Sequence, residues 1–129
     1  MAKTLTAAAL VSSASIAAGG TSRGRLDCTG ADGGELRVRM KNGATGPTEQ
    51  CVCTVTKARK QSSMPAAGAP GTGDDDWKIV YQVGGSVTAN VETTFTYSFG
   101  PETGYIQVEF TGHTGQAVTA ECTGDTYAY

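Results

Sequence analysis

The sequence predicts an all-β fold: an antiparallel β-sandwich, jelly-roll or Ig-like, with an extended N-terminal arm. Three observations lead there. Apolar and polar residues alternate along most of the chain, and no segment sustains a helical period. Glycine-rich turn signals separate the alternating runs at roughly regular spacing. The 18 glycines against 4 prolines, with abundant Thr, Ser and Val, describe a turn-rich strand protein rather than a disordered one. Short strands with one apolar face each must cover one another, and two packed sheets do so most simply; a closed barrel is the alternative. At 129 residues the chain makes one domain, with 1–18 as arm or first strand and 19–129 as the sandwich.

The opening stretch, MAKTLTAAALVSSASIAAGG, bears on the compartment. A secretory signal needs a compact apolar core of roughly 7–15 residues behind a positive start. The one candidate core, LTAAALV, is short and weakly apolar, and SSAS interrupts it. The segment therefore reads as an arm or first strand, dispensable for folding and able to add to a neighbouring sheet edge.

The strands follow in order. RGRLDCT (23–29) puts Leu26 and Cys28 on one face and Arg23, Arg25 and Asp27 on the other. GADGG supplies a tight reversal. ELRVRMK (35–41) sends Leu36, Val38 and Met40 inward and Glu35, Arg37, Arg39 and Lys41 outward. After a turn at Asn42-Gly43, QCVCTVTKA (50–58) aligns Cys51, Cys53 and Val55. The segment 59–76 has no hydrophobic period, holds Pro65 and Pro70, and ends in Asp74, Asp75 and Asp76, so it is expected as a long surface loop. WKIVYQV (77–83) directs Trp77, Ile79, Tyr81 and Val83 to one side. VETTFTYSF (91–99) aligns Val91, Thr93, Phe95, Tyr97 and Phe99. YIQVEFT (105–111) buries Ile106, Val108 and Phe110. The turn GHTG makes a short hairpin into QAVTAECT (116–123), which turns Val118, Ala120 and Cys122 inward.

Charge and chemistry narrow the function. Residues 1–62 carry a balance of +5 and residues 63–129 a balance of −7. Oppositely charged strands can pair across one sheet face, or the division can serve contacts between molecules. Nucleic acid is not an expected partner, because the basic half lacks aromatics interleaved with its charges. No apolar run approaches the roughly 20 residues that span a bilayer as a helix. Cys28, Cys51, Cys53 and Cys122 fall on apolar faces and read as small buried hydrophobes, reduced rather than bridged. C-x-C lacks zinc-ligand spacing, and the three aspartates lack the alternation of a calcium loop, so no metal or cofactor is expected. The one histidine, His113, sits in a glycine-flanked turn, where an exposed and idle side chain is expected. No nucleophile-elbow pattern is present. The expectation is a protein that is not an enzyme.

The candidate interface residues are the outward row Arg37, Arg39 and Lys41, the acidic run Asp74, Asp75 and Asp76, and the C-terminal aromatics Tyr127 and Tyr129. The tyrosines are spaced to face one way, which ties the tail against its own body or a neighbour.

The stretches AAGGTSRGRLDCTGADGGELRVRMKNGATGPT (17–48) and FGPETGYIQVEFTGHTGQAVTAECTGDTYAY (99–129), with DDDWK between them, resemble small structural proteins of tailed bacteriophages. The pattern is most like the head cement or decoration proteins of short-tailed phages, which are sandwich or jelly-roll proteins bound outside a capsid lattice. Phage fibre and tail β-domains that bind host-surface carbohydrate share much of it. The resemblance implies a virion protein on the capsid exterior, assembled in the bacterial host cytoplasm. Its implied partners are the major capsid (coat) protein and further copies of itself, as dimer or trimer, with neither nucleic acid nor membrane.

Overall fold

The computed structural model describes residues 4–58 and 78–129. The long loop expected at 59–76 lies outside them. Eight strands form: β1 (Thr4–Ile16), β2 (Ser22–Asp27), β3 (Gly33–Asn42), β4 (Val52–Ala58), β5 (Lys78–Gly84), β6 (Glu92–Phe99), β7 (Tyr105–Thr111) and β8 (Val118–Ala128). They build two antiparallel four-stranded sheets, in the orders β1-β8-β3-β6 and β2-β7-β4-β5. The nested pairs β1/β8, β2/β7, β3/β6 and β4/β5 are those of a hairpin rolled up on itself. This is a jelly roll, which decides against the Ig-like order.

That topology changes two expectations. GADGG and GHTG are not reversals within one sheet: each carries the chain from one sheet to the other, as does every described connection between consecutive strands. A strand's partner is its nested mate, so, apart from the innermost pair β4/β5, sequence neighbours lie in different sheets rather than side by side.

The core follows the period-two reading closely. Leu36, Val38, Met40, Cys53, Val55, Ile106, Val108, Phe110, Val118, Ala120 and Cys122 are all buried and form one cluster between the sheets. β5 is the exception. Its register with β4 shifts between Val55 and Thr56, so Tyr81 stands opposite inward-facing Val55 but Ile79 stands opposite Thr56. A bulge of this kind turns the following side chain to the other face. Ile79 is therefore 47% exposed instead of core, and Val80 packs inward in its place. Tyr81 keeps its face but sits at the rim, 42% exposed, against Phe95 and Tyr97 of β6. Trp77, expected beside it, lies outside the described residues.

β1 is the first strand of its sheet, the second of the two forms expected for residues 1–18. It pairs along its length with β8 and contributes Val11 and Ile16 to the core. Its register shifts twice, between Ala9 and Val11 and between Val11 and Ala14. Leu10 lies at the first shift, where the β1 backbone comes up against β2 at Gly24. That contact closes one side of the sandwich.

His113 is likewise not exposed. It is fully buried, with Nε2 3.0 Å from the Ile16 carbonyl, while its own carbonyl accepts from the Gly19 N–H at 2.8 Å. Its Nδ1 is buried without a hydrogen-bond partner. Gly112 and Gly115, at φ of 95° and 85°, bend the turn tightly enough to fold the ring back onto the end of β1. The imidazole is a structural peg that holds the β1–β2 connection.

All four cysteines are buried and free. Burial pushes Cys28 and Cys122 up to about 12, helped by the charges of Asp27 and Glu121, and Cys51 up to about 11. Cys53 is raised as well, by burial first and then by the neighbouring thiols of Cys122 and Cys51. Thiols held neutral in this way are poor nucleophiles. Native protein at pH 8 is expected to resist alkylation, and denatured protein without reductant to titrate all four thiols. A denatured count below that number would contradict this reading.

Candidate functional site

The outward row on β3 is where the sequence places it. Antiparallel register sets Arg37 between Thr123 of β8 and Thr96 of β6, Arg39 between Glu121 and Thr94, and Lys41 between Thr119 and Glu92. Side chains directly opposite or one step diagonal across a ladder can touch, and here they are of opposite sign. Arg37 bonds Glu35 of its own strand at 3.3 Å and, across the ladder, Asp125. Arg39 reaches Glu121 and Glu92, each at 3.5 Å. The hydrogen bond that Arg37 donates to Glu35, then the charge of Asp125, favours the charged form of Arg37.

The division of charge along the sequence is thereby folded into a network across three strands. The basic row comes from the first half of the chain, and Glu92, Glu121 and Asp125 from the second. Threonines and serine fill the gaps: Thr94, Thr96 and Ser98 on β6, Thr119 and Thr123 on β8. The result is an open, flat, charge-paired face with no deep cleft.

Tyr127 and Tyr129 close one end of this face. Their rings meet edge to face, with centroids 5.9 Å apart. The tail is tied to its own body: the Asp32 N–H donates to the Tyr127 carbonyl at 2.7 Å, and the Tyr129 N–H donates to Asp32 Oδ2 at 2.8 Å. The Tyr127 hydroxyl lies over Gly33, so a side chain there would collide with it. A shallow depression of about 330 Å³ lies beside them, lined by Leu5, Arg37, Phe99, Asp125 and Tyr127 among others. The structure thus brings Arg37, Tyr127 and the exposed Leu5 together, which no spacing in the sequence announces. Asp74, Asp75 and Asp76 lie outside the described residues.

The opposite face differs. Gln107 and Glu109, which alternate with the core residues of β7, are buried too, with Glu109 only 6% exposed. Arg25 of the neighbouring strand folds over Gln107 and donates Nε–H to its Oε1 at 2.9 Å. Register sets Glu109 between Arg23 and Thr54. Alternation assigns a face but not what lies across it, so burial of these side chains was not legible. Among the described residues, no group of three or more His, Cys, Asp or Glu side chains is placed to hold a metal ion.

No protein-family model matches the chain, and no curated protein matches it in sequence. Solved structures match it in shape. The K3 cleaved adhesin domain of Lys-gingipain from Porphyromonas gingivalis W83 gives a TM-score of 0.60 at 11% identity, over 88% of this chain and 72% of that one. The VP2 subviral particle of infectious bursal disease virus gives 0.54 at 8% identity, over 98% of this chain and 33% of the VP2 chain. The SPBc2 prophage-derived protein YomS is 15% identical over 99% of this chain and 96% of its own, with a TM-score of 0.49. At these identities the likeness is one of fold.

Proposed function

We propose that this chain is a structural virion protein that binds the coat protein and reinforces a phage capsid from outside, with a role in contact rather than catalysis. The observation that carries this reading is the charge-paired outer face of the β1-β8-β3-β6 sheet. Exposed ion pairs are worth under about 1 kcal/mol each in water, so a facing protein can re-pair them at little cost. Arginines and carboxylates alternating over three strands position such a partner by complementary charge, without a pocket. The fold likeness to the VP2 of a subviral particle supports the reading at the level of architecture alone. Assembly in the host cytoplasm suits the free thiols.

The test is the triple variant Arg37→Ser, Arg39→Ser, Lys41→Ser. Binding to coat-protein particles is expected to weaken and to lose most of its salt dependence, while stability falls by no more than about 1–2 kcal/mol. Unchanged binding across a salt series would overturn the assignment of this face.

A second reading has one observation in its favour. The Tyr127–Tyr129 pair stands beside a depression that also presents Arg37 and Asp125, an aromatic and polar combination suited to a sugar. A fibre or tail domain that binds host-surface carbohydrate would use that end. Glycan binding abolished by Tyr129→Ala would favour it over the capsid role.

A further inference from the structure

Among the described residues the sandwich has four edge strands, and three of them are protected against pairing with another chain. β1 carries two register shifts and lies against β2. β2 is short, with Arg23, Arg25 and Asp27 outward and Gly24 under the β1 backbone. β5 starts on Lys78 and is bulged. β6 has none of these devices. Its eight residues, ETTFTYSF, hold no Lys, Arg, Pro or Gly, and its register with β3 runs unbroken from Glu92 to Phe99.

The surroundings of β6 are apolar. Of the six large hydrophobic side chains exposed among the described residues, Tyr81, Val87 and Val91 lie on β5 or on the β5–β6 connection, while Ile79 faces the outer side of the other sheet. Phe95 and Tyr97 stay only partly buried; at the rim Phe95 meets Tyr81 edge to face and Tyr97 stacks on it, with centroids 5.3 Å and 6.1 Å away. Proteins seldom leave a regular edge, charged only at its first residue, beside such a patch without a partner.

We propose that β6 pairs antiparallel with β6 of a second copy of this chain, about a two-fold axis at Thr96, joining the two sheets into one of eight strands. The sequence of β6 is complementary to itself in that register. A continuous sheet requires inward residues to oppose inward ones, since the side-chain period is two. With Thr96 opposite its own copy, Phe95 meets Tyr97 on the inner face, and Thr94 meets Ser98 on the outer face. Aromatic pairs and Thr–Thr or Thr–Ser pairs are favourable cross-strand contacts, and no like charges meet within β6. The one charge on β6, Glu92, lies at its end and is already paired with Arg39, so the self-complementary stretch from Thr94 to Ser98 fits a second copy. The proposal stands on the β6 edge and is independent of the capsid role; it doubles the flat charge-paired face into one continuous surface.

Sedimentation of the full chain from micromolar to millimolar concentration tests it, comparing the wild type with Thr96→Lys. Thr96 is exposed, so Lys there leaves the monomer's core untouched while setting two ammonium groups against each other at the axis. The wild type is expected to be dimeric, and the variant to dissociate at least about tenfold more readily. Thr96→Cys supplies a second readout that does not depend on the Lys variant folding. Opposed residues lie roughly 4.5–5.5 Å apart at Cα, within disulfide range, so mild oxidation should yield a covalent dimer. The same change at Thr54, on the other sheet, should not. A wild type that is monomeric throughout, or an oligomer indifferent to Thr96→Lys, would overturn the proposal. So would failure of Thr96→Cys to cross-link.

Discussion

Deleting residues 1–16 is expected to abolish cooperative folding rather than merely to free an arm. β1 covers the side of β8 that faces away from β3, and its loss would leave β8 as the bare edge of a three-stranded sheet. Val11 and Ile16 would leave the cluster, and burial of two such side chains is worth about 3–6 kcal/mol. His113 would lose the Ile16 carbonyl that its Nε2 meets at 3.0 Å, leaving a second buried ring nitrogen unsatisfied. Domains of this size hold roughly 5–15 kcal/mol in total, so these losses together exhaust most of the margin. The truncated chain should show no sigmoidal urea transition by fluorescence or circular dichroism. A truncated chain that still unfolds cooperatively near the wild-type midpoint would show that β1 is an appendage after all.

Gly24→Val is expected to be the most damaging single substitution. A Cβ at this position would sit inside the contact radius of the Leu10 carbonyl group, which belongs to backbone and cannot rotate away. Either β1 lifts off β2 or β2 buckles, and the expected loss exceeds about 3 kcal/mol. Gly43 provides the comparison: a Cβ there meets nothing within 4 Å, so Gly43→Ala should be close to neutral. Urea midpoints of the two variants measure the difference directly. Equal midpoints would mean that the two edges are not in contact in solution.

Period two was enough to locate the interior strands, because β3, β7 and the first parts of β4 and β8 each bury one face. Leu36, Val38, Val108 and Cys122 could hardly be placed otherwise. What escaped the sequence depends on contacts between distant segments. The bulge that turns Ile79 outward is a property of the β4–β5 ladder and not of WKIVYQV alone. The burial of His113 requires the end of β1 to arrive from 97 residues away. Small side chains in β1 look unfit for a core strand, yet its long, twice-shifted pairing with β8 and two well-placed residues make it one.

The candidate surface was legible in part. The outward row of Arg37, Arg39 and Lys41 follows from alternation, and so does its exposure. Which carboxylates answer it does not, since Asp125 is 88 residues from Arg37 and meets it only through the β3–β8 register. The adjacency of Tyr127 to Arg37 and Leu5 has the same origin.

The measurement that bears most directly on the proposed role is the copy number of this chain in purified phage particles, by quantitative mass spectrometry against the coat protein. A structural protein that docks on coat subunits through the β1-β8-β3-β6 face should be present in a fixed, high ratio to coat and should wash off as salt rises. Absence from the particles, or the few copies per particle typical of a tail component, would contradict the account.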